Sequence, residues 1–472
     1  MLFQHTIPVS ERTVGVLHRE DEKVCQGFTL FSSNLQTYLI DNDGKVINEW
    51  ASKSRSTFAA YLLPNGNLLR DGNEALNAPL MQTGGSAGYI EEVTWDNKLV
   101  WKFQFAPFEK HLSHHALEPL PNGNVLALCW ERKTKEDALK AGRHPEFLPD
   151  NEIWNDLVVE LEPDRGKKNA KVIWKWSAWD NLVQDYDPNK NNYGDIKSPD
   201  KLNINYCVVG GKAGNRNTLT RQKKDKSTGG VNNFGNTGNK NGNTGEKDWL
   251  HVNHLCYDAE YDQVLLSVNC FNEVWIIDRT SGNIIYRWGN PEAYGRGTMD
   301  DQKLFCQHSA IFHKNEVGER GFIVYNNGRH PDRAWSTVDE IRLPEFLLNM
   351  YKMDGETYGP ETCEWRYGPS KGRANSWYDT HTGHCQRLRN GNTLITMGTC
   401  STIVEVTKDK EEVWRYYSPV WIEDDIGYVA SVRQGYQRPI DKKFSLFHSK
   451  KYSIDYPAFD SKDLKAYRYI EA

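Results

Sequence analysis

Val274-Trp-Ile-Ile-Asp278, then Ser281-Gly-Asn283, then Ile284-Ile-Tyr-Arg-Trp288 reads as an apolar strand, a polar turn and a strand closing on aromatic residues. The unit recurs. It precedes this copy as Tyr38-Leu-Ile-Asp41 with Val46-Ile-Asn-Glu-Trp50, as Ile90-Glu-Glu-Val-Thr94 with Leu99-Val-Trp-Lys-Phe103, and as Leu157-Val-Val-Glu-Leu161 with Val172-Ile-Trp-Lys-Trp176. It follows as Thr337-Val-Asp-Glu-Ile341 with Cys363-Glu-Trp-Arg-Tyr367, after a long connection, and as Ile403-Val-Glu-Val-Thr407 with Val413-Trp-Arg-Tyr416. A second motif stands ahead of several copies: Leu63-Pro-Asn-Gly-Asn67, Leu120-Pro-Asn-Gly-Asn124 and Leu388-Arg-Asn-Gly-Asn392. Asn-Gly suits a type I′ hairpin turn, and an apolar strand follows each. Two hairpins per repeat make four strands, and six such units close a ring. The expected fold is therefore all-β, a six-bladed β-propeller of four-stranded antiparallel blades.

Working outward, residues 27–419 hold the repeats. Residues 1–26 read as an N-terminal extension, and 420–472 as a tail that packs on the ring or helps close it. Residues 210–247 are rich in Gly, Asn, Lys and Thr and poor in apolar side chains, so a mobile surface insertion is expected there. Aromatic residues make up 12% of the 472, including 16 Trp, which suits stacked sheets. The net charge of −5 argues against a nucleic-acid or anionic-membrane partner. No apolar run is long enough to span a bilayer, and Met1–Lys23 shows no apolar leader, which leaves the compartment open. The nine cysteines include no CxxC pair and read as reduced core thiols.

Histidines recur where inner strands should begin. His114 and His115 stand before the Leu120 turn, and His251 and His254 before Asp258-Ala-Glu-Tyr-Asp262. His308 stands before Gly318-Glu-Arg-Gly321, and His381 and His384 before the Leu388 turn. Four repeats thus aim imidazoles at one axis. His5, His18, His144 and His448 fall out of register and read as uninvolved. Two chemistries suit the cluster: attack on an electrophile by a neutral imidazole, or binding of a transition metal by His115, His251, His308 and His384.

Several longer motifs carry a resemblance. Asp248-Trp-Leu-His-Val-Asn253, Tyr257-Asp258, Asp262-Gln-Val-Leu-Leu-Ser-Val268, Gln307-His308, Tyr325-Asn-Asn-Gly328 and Val338-Asp-Glu-Ile341 resemble the arylsulfate sulfotransferase family. So do Tyr286-Arg-Trp-Gly-Asn-Pro-Glu-Ala-Tyr-Gly-Arg-Gly297 and Asp301-Gln-Lys-Leu-Phe305. The likeness runs from about Gly27 to Pro419. It implies a six-bladed propeller that moves a sulfuryl group from an aromatic sulfate ester to a phenol. It also implies a histidine nucleophile, with no nucleotide donor and no cofactor. By motif the nucleophile is His308 in Cys306-Gln-His-Ser309, supported by His251 and Asn253, while His115 resembles a further pocket histidine. Asn269, Arg329 and His384 complete the expected substrate side. Two positions depart from the family. Asn269 takes the approximate place of an arginine, giving an amide where a guanidinium would clamp an oxyanion. Ala116 stands where many relatives carry an acidic residue. A metal-dependent enzyme on the four-histidine ring and a non-catalytic ligand-binding propeller remain alternatives at this point.

Overall fold

Alternate residues of one strand show how the ring is built. In Gln263–Val268, the side chains of Val264, Leu266 and Val268 pack into one apolar cluster and that of Leu265 into another. The strand has a neighbouring sheet on each face, so it reads as a continuous apolar run. The same holds around the molecule, a computed structural model. It describes residues 8–471 except 34, 55–58, 75–80, 82, 149–150, 210–211, 215–246, 331–332, 370–376, 423–428 and 440–444. Most of the segment expected to be a mobile insertion, 210–247, lies outside the described residues.

The chain forms a six-bladed β-propeller with almost no helix. Blade 2 runs from its inner to its outer strand as Ala60–Leu62, Leu68–Asn73, Gly88–Val93 and Leu99–Gln104. Blade 3 is His111–Pro119, Val125–Thr134, Glu152–Asp164 and Asn169–Ser177. Blade 4 is Val252–Asp258, Gln263–Val268, Glu273–Asp278 and Ile284–Trp288. Blade 5 is His308–Lys314, Arg320–Asn326, Thr337–Arg342 and Trp365–Tyr367. Blade 6 is His384–Arg387, Thr393–Met397, Thr402–Val406 and Glu412–Tyr417, with Gly15–Arg19 added outside. Blade 1 contains Gly27–Ser33, Gln36–Ile40 and Lys45–Ala51. Its innermost strand is Ser449–Ser453, paired antiparallel with Gly27–Ser33. The ring is thus closed by a strand more than four hundred residues away in sequence.

The aromatic ends of most repeats tie one blade to the next; Trp101 of blade 2 instead donates to Glu92 of its own blade. Trp50 of blade 1 donates its indole N–H to Thr94 O in blade 2, Trp176 of blade 3 to Gly282 O in blade 4, and Trp365 of blade 5 to Lys408 O in blade 6. Trp414 of blade 6 donates to Asn42 O in blade 1 at 3.0 Å, completing the circle. The burial of each indole and the pairing of its N–H are satisfied together.

The Asn-Gly turns differ from the type I′ expectation. Gly66, Gly123 and Gly391 have φ of 83°, 86° and 86°, whereas the preceding asparagines stay at negative φ. In each turn the Asn side chain accepts the N–H two residues on, as Asn65 Oδ1 does from Asn67 at 2.9 Å. Pro64 and Pro121 supply the fixed φ of a type I turn, and the glycine takes the single left-handed position. The eight cysteines with described side chains are free. Among the described residues no helix is long and apolar enough to cross a membrane.

Candidate functional site

Three inner strands carry a distortion at or near their histidines. His115 and His251 adopt φ of 49°, Cys306 52° and Ser309 51°, and the pairing of each inner strand shifts register nearby. A left-handed non-glycine residue is strained, and a bulge re-aims the side chains around it. Here the effect is to bring His115, His251 and His308 together from blades 3, 4 and 5. The rings of His115 and His251 lie edge to face with centroids 4.5 Å apart. Phe447 lies 6.1 Å from the His115 ring and 5.9 Å from the His308 ring. All three histidines are buried.

His308 is held in one orientation. Its Nδ1 lies 2.8 Å from Asn327 Oδ1 and 3.1 Å from Cys306 O. Asn327 cannot flip to offer its amide nitrogen instead, because that nitrogen donates to Thr382 O at 2.8 Å and Asp379 O at 3.1 Å. Facing two acceptors, Nδ1 carries the proton, which leaves the lone pair on Nε2. The Thr382 N–H points at that Nε2 from 3.4 Å. Burial drives the His308 pKa down to about 3, more than the Asn327 contact raises it, so the ring is neutral over the ordinary pH range.

His251 donates from Nδ1 to Asp248 Oδ2 at 2.5 Å, which leaves Nε2 as its working nitrogen. His115 and His114 share a hydrogen bond between their Nδ1 atoms at 3.0 Å. His114 stacks on Trp130, with centroids 4.0 Å apart, and its Nε2 comes within 3.0 Å of Asp156 Oδ1 without hydrogen-bond alignment. Burial, and then the neighbouring Asp248, push the Asp156 carboxyl well up. Burial holds His114 and His115 well below the usual imidazole range. Gly85 makes room for His115: a Cβ there would sit 1.9 Å from the imidazole, and the Gly85 φ is +94°.

The remaining sequence candidates land differently. Asn253 and Asn269 both donate to Gln307 O, at 2.8 and 3.0 Å. The Gln307 side chain donates back to Val268 O and Glu273 O of blade 4. These amides therefore hold the peptide just before His308. The Arg329 guanidinium lies over the Phe305 ring at 5.6 Å, with Arg333 at 5.9 Å from the same ring.

His384 does not join His115, His251 and His308. Its ring packs 3.9 Å from His448 and 5.7 Å from His254, in a second group along the channel. The reason is the pleat. His384 pairs directly with Thr396, with no bulge in its strand, so it stands level with His254, which lies past the bulge of blade 4. The histidine of blade 6 whose charge depresses His308 is His381. Among the described residues no group of three or more His, Cys, Asp or Glu side chains is arranged to hold a metal ion, and the four histidines named as an alternative metal set are divided between the two groups. His448, which reads as uninvolved in sequence, belongs to the second group because the tail supplies the inner strand of blade 1.

Asp248 and Asn327 were visible inside the motifs Asp248-Trp-Leu-His and Tyr325-Asn-Asn-Gly, although nothing local assigned them partners. Phe447 had no sequence signal, since no repeat hairpin surrounds it.

Comparison with known proteins adds the following. No curated protein matches the chain. Solved structures to which the chain is similar include a protein of unknown function from Bacteroides caccae, with TM-score 0.40, 10% identity and coverage of 85% of this chain and 96% of that one. They also include the Cps50 (Swd1) β-propeller domain of Myceliophteria thermophila, at 0.40 and 11%, covering 86% and 90%. A catalytically inactive virginiamycin B lyase from Staphylococcus aureus scores 0.36 at 9% identity, covering 85% and 88%. Nothing passes from such distant likenesses to this chain. The family model described as Arylsulfotransferase (ASST) matches residues 13–417, most of the chain and all six blades bar the closing strand. This chain belongs to the arylsulfotransferase family.

Proposed function

We propose that the protein transfers a sulfuryl group from an aromatic sulfate ester to a phenol, through a covalent intermediate on His308. The observation that carries the reading is the state of that ring: neutral, with its proton on the side of Asn327 and its lone pair on Nε2. In the first half-reaction Nε2 attacks sulfur. The N–S bond forms, the S–O bond to the aryl group breaks, and the electron pair leaves on the phenolate oxygen. His251 protonates that oxygen, with its ring oriented by the bond from Nδ1 to Asp248. In the second half-reaction an acceptor phenol returns the proton to His251, its oxygen forms a bond to sulfur, the N–S bond breaks, and its electron pair returns to His308 Nε2.

Asn253 and Asn269 act in this scheme as positioning residues, since they fix the Gln307 carbonyl and with it the backbone entering His308. His115 donates toward the sulfuryl oxygens, and Arg329 supplies positive charge from the segment following Asn327. The test is the intact mass of the protein after incubation with p-nitrophenyl sulfate. A sulfuryl adduct mapping to His308, absent from His308→Ala, is the expected result. A folded wild-type protein that acquires no adduct and releases no phenol would sink the proposal.

A further inference from the structure

Each inner strand begins near the histidines and ends at the opposite mouth of the channel. There the turns Leu63–Asn67, Leu120–Asn124 and Leu388–Asn392, together with the closing strand, surround a cavity of about 650 Å³. That volume suits a small organic ligand. None of His115, His251 or His308 lines it, so it is separate from the proposed sulfuryl-transfer centre.

Its walls are mostly apolar, made of leucine, proline and tyrosine side chains. The tyrosine hydroxyls are already committed: Tyr61 donates to Glu118, Tyr452 accepts from Leu62 N, and Tyr456 donates to Leu62 O. The rings therefore offer faces and edges, not polar ends. Five cations reach the lining. Arg165, Arg387, Arg389 and Lys451 each pair with a carboxylate. Lys450 is different. Its ammonium sits 4.4 Å from the centroid of the Tyr61 ring, and among the described residues it has neither an ion-pair partner nor a hydrogen-bond acceptor. It is half-buried, and its charge is felt by Glu118, which it nevertheless does not pair with. An ammonium left against an aromatic face in an apolar cavity is a site for one negative charge carried on a flat apolar body.

We infer that this mouth binds an aromatic carboxylate, with the carboxylate on Lys450 and the ring system between the leucine, proline and tyrosine walls. The inference does not depend on the chemistry proposed for His308.

The probe is naphthoate, titrated calorimetrically into the full-length protein, with naphthylmethanol as the uncharged body of the same shape. Naphthoate is expected to bind one per chain, equally well to wild type and to His308→Ala, and naphthylmethanol far more weakly. Lys450→Met, checked for folding by circular dichroism, should lose about tenfold or more in affinity, the worth of a charge-assisted hydrogen bond. Leu63→Trp, at a half-buried position of the wall and checked for folding in the same way, narrows the cavity and leaves the lysine in place, and should also abolish binding. The inference is overturned if wild type does not bind naphthoate, or if both variants bind it like wild type. Binding lost in His308→Ala would equally overturn it, by placing the molecule at the other end of the channel.

Discussion

Replacing Asn327 by alanine removes three contacts at once: the acceptor for His308 Nδ1 at 2.8 Å, and the donors to Thr382 O at 2.8 Å and Asp379 O at 3.1 Å. Two buried carbonyls lose a partner. At ~1–3 kcal/mol for each polar group left unsatisfied, the fold should lose about 2–6 kcal/mol, toward the lower end because Asp379 O keeps the Ser336 hydroxyl at 3.5 Å. The effect on His308 is separable from this. Cys306 O, 3.1 Å from Nδ1, still accepts a hydrogen bond, so the proton is not released outright. What goes is one good hydrogen bond worth about 1–1.5 kcal/mol in favour of the tautomer with its lone pair on Nε2, or about tenfold in the tautomer ratio. We therefore expect single-turnover phenol release from p-nitrophenyl sulfate to slow by up to about tenfold in folded Asn327→Ala, well short of the complete loss in His308→Ala. Asn327→Asp sharpens the test. A carboxylate facing Nδ1 raises the His308 pKa above its value of about 3, so an acid limb should move into the accessible pH range. Nitrogen NMR of wild type should show His308 protonated at Nδ1. Sulfation of folded Asn327→Ala at the wild-type rate, or a wild-type His308 carrying its proton on Nε2, would refute the reasoning.

Acid should weaken the fold before it reaches the carboxyl groups. Burial lowers His254 and His308 to about 3, and holds His114, His115, His384 and His448 well below the usual range. The unfolded chain takes up these protons first, near pH 6.5. The contribution is thus complete above pH 6.5 and is lost as pH falls toward 3, by up to ~1.4 kcal/mol per pH unit for each histidine. The urea midpoint should drop between pH 7 and 5.5, and a constant midpoint would contradict the assignment of neutral buried rings. Gly85→Ala adds a Cβ 1.9 Å from the His115 ring at a φ of +94°. We expect a cost of about 1–3 kcal/mol, read as a lower Tm, together with slowed phenol release because His115 is displaced. An unchanged Tm and rate would show that His115 has room the structure does not give it.

The six outer hairpins were legible because the forces that make them are local. Strand alternation and a turn set each hairpin, and in most repeats the tryptophan at its end meets a carbonyl of the next blade, as Trp50, Trp176, Trp365 and Trp414 do, so the repeats carry their own signature. The turns were half legible. Asn-Gly marked their places, but the left-handed residue proved to be the glycine alone, because each Asn side chain, as with Asn65 on Asn67, offers the backbone a different bond. His115, His251 and His308 could be placed at one end of the channel from their register in the repeats. Their separation from His384 could not, since it follows from bulges present in blades 3, 4 and 5 and absent from the inner strand of blade 6. The tail was expected to pack on the ring or help close it, but which of its residues form the closing strand, and with them Phe447 and His448, was out of reach: the partner Gly27–Ser33 lies at the far end of the chain, and no spacing records that pairing. The sequence by itself determined the blades, their number and the histidines that face the axis from the repeats themselves, His448 of the tail excepted. The tertiary structure alone decided which histidines meet, and which nitrogen of His308 is left open, because that choice rests on an asparagine amide whose orientation is set by two backbone carbonyls from another blade.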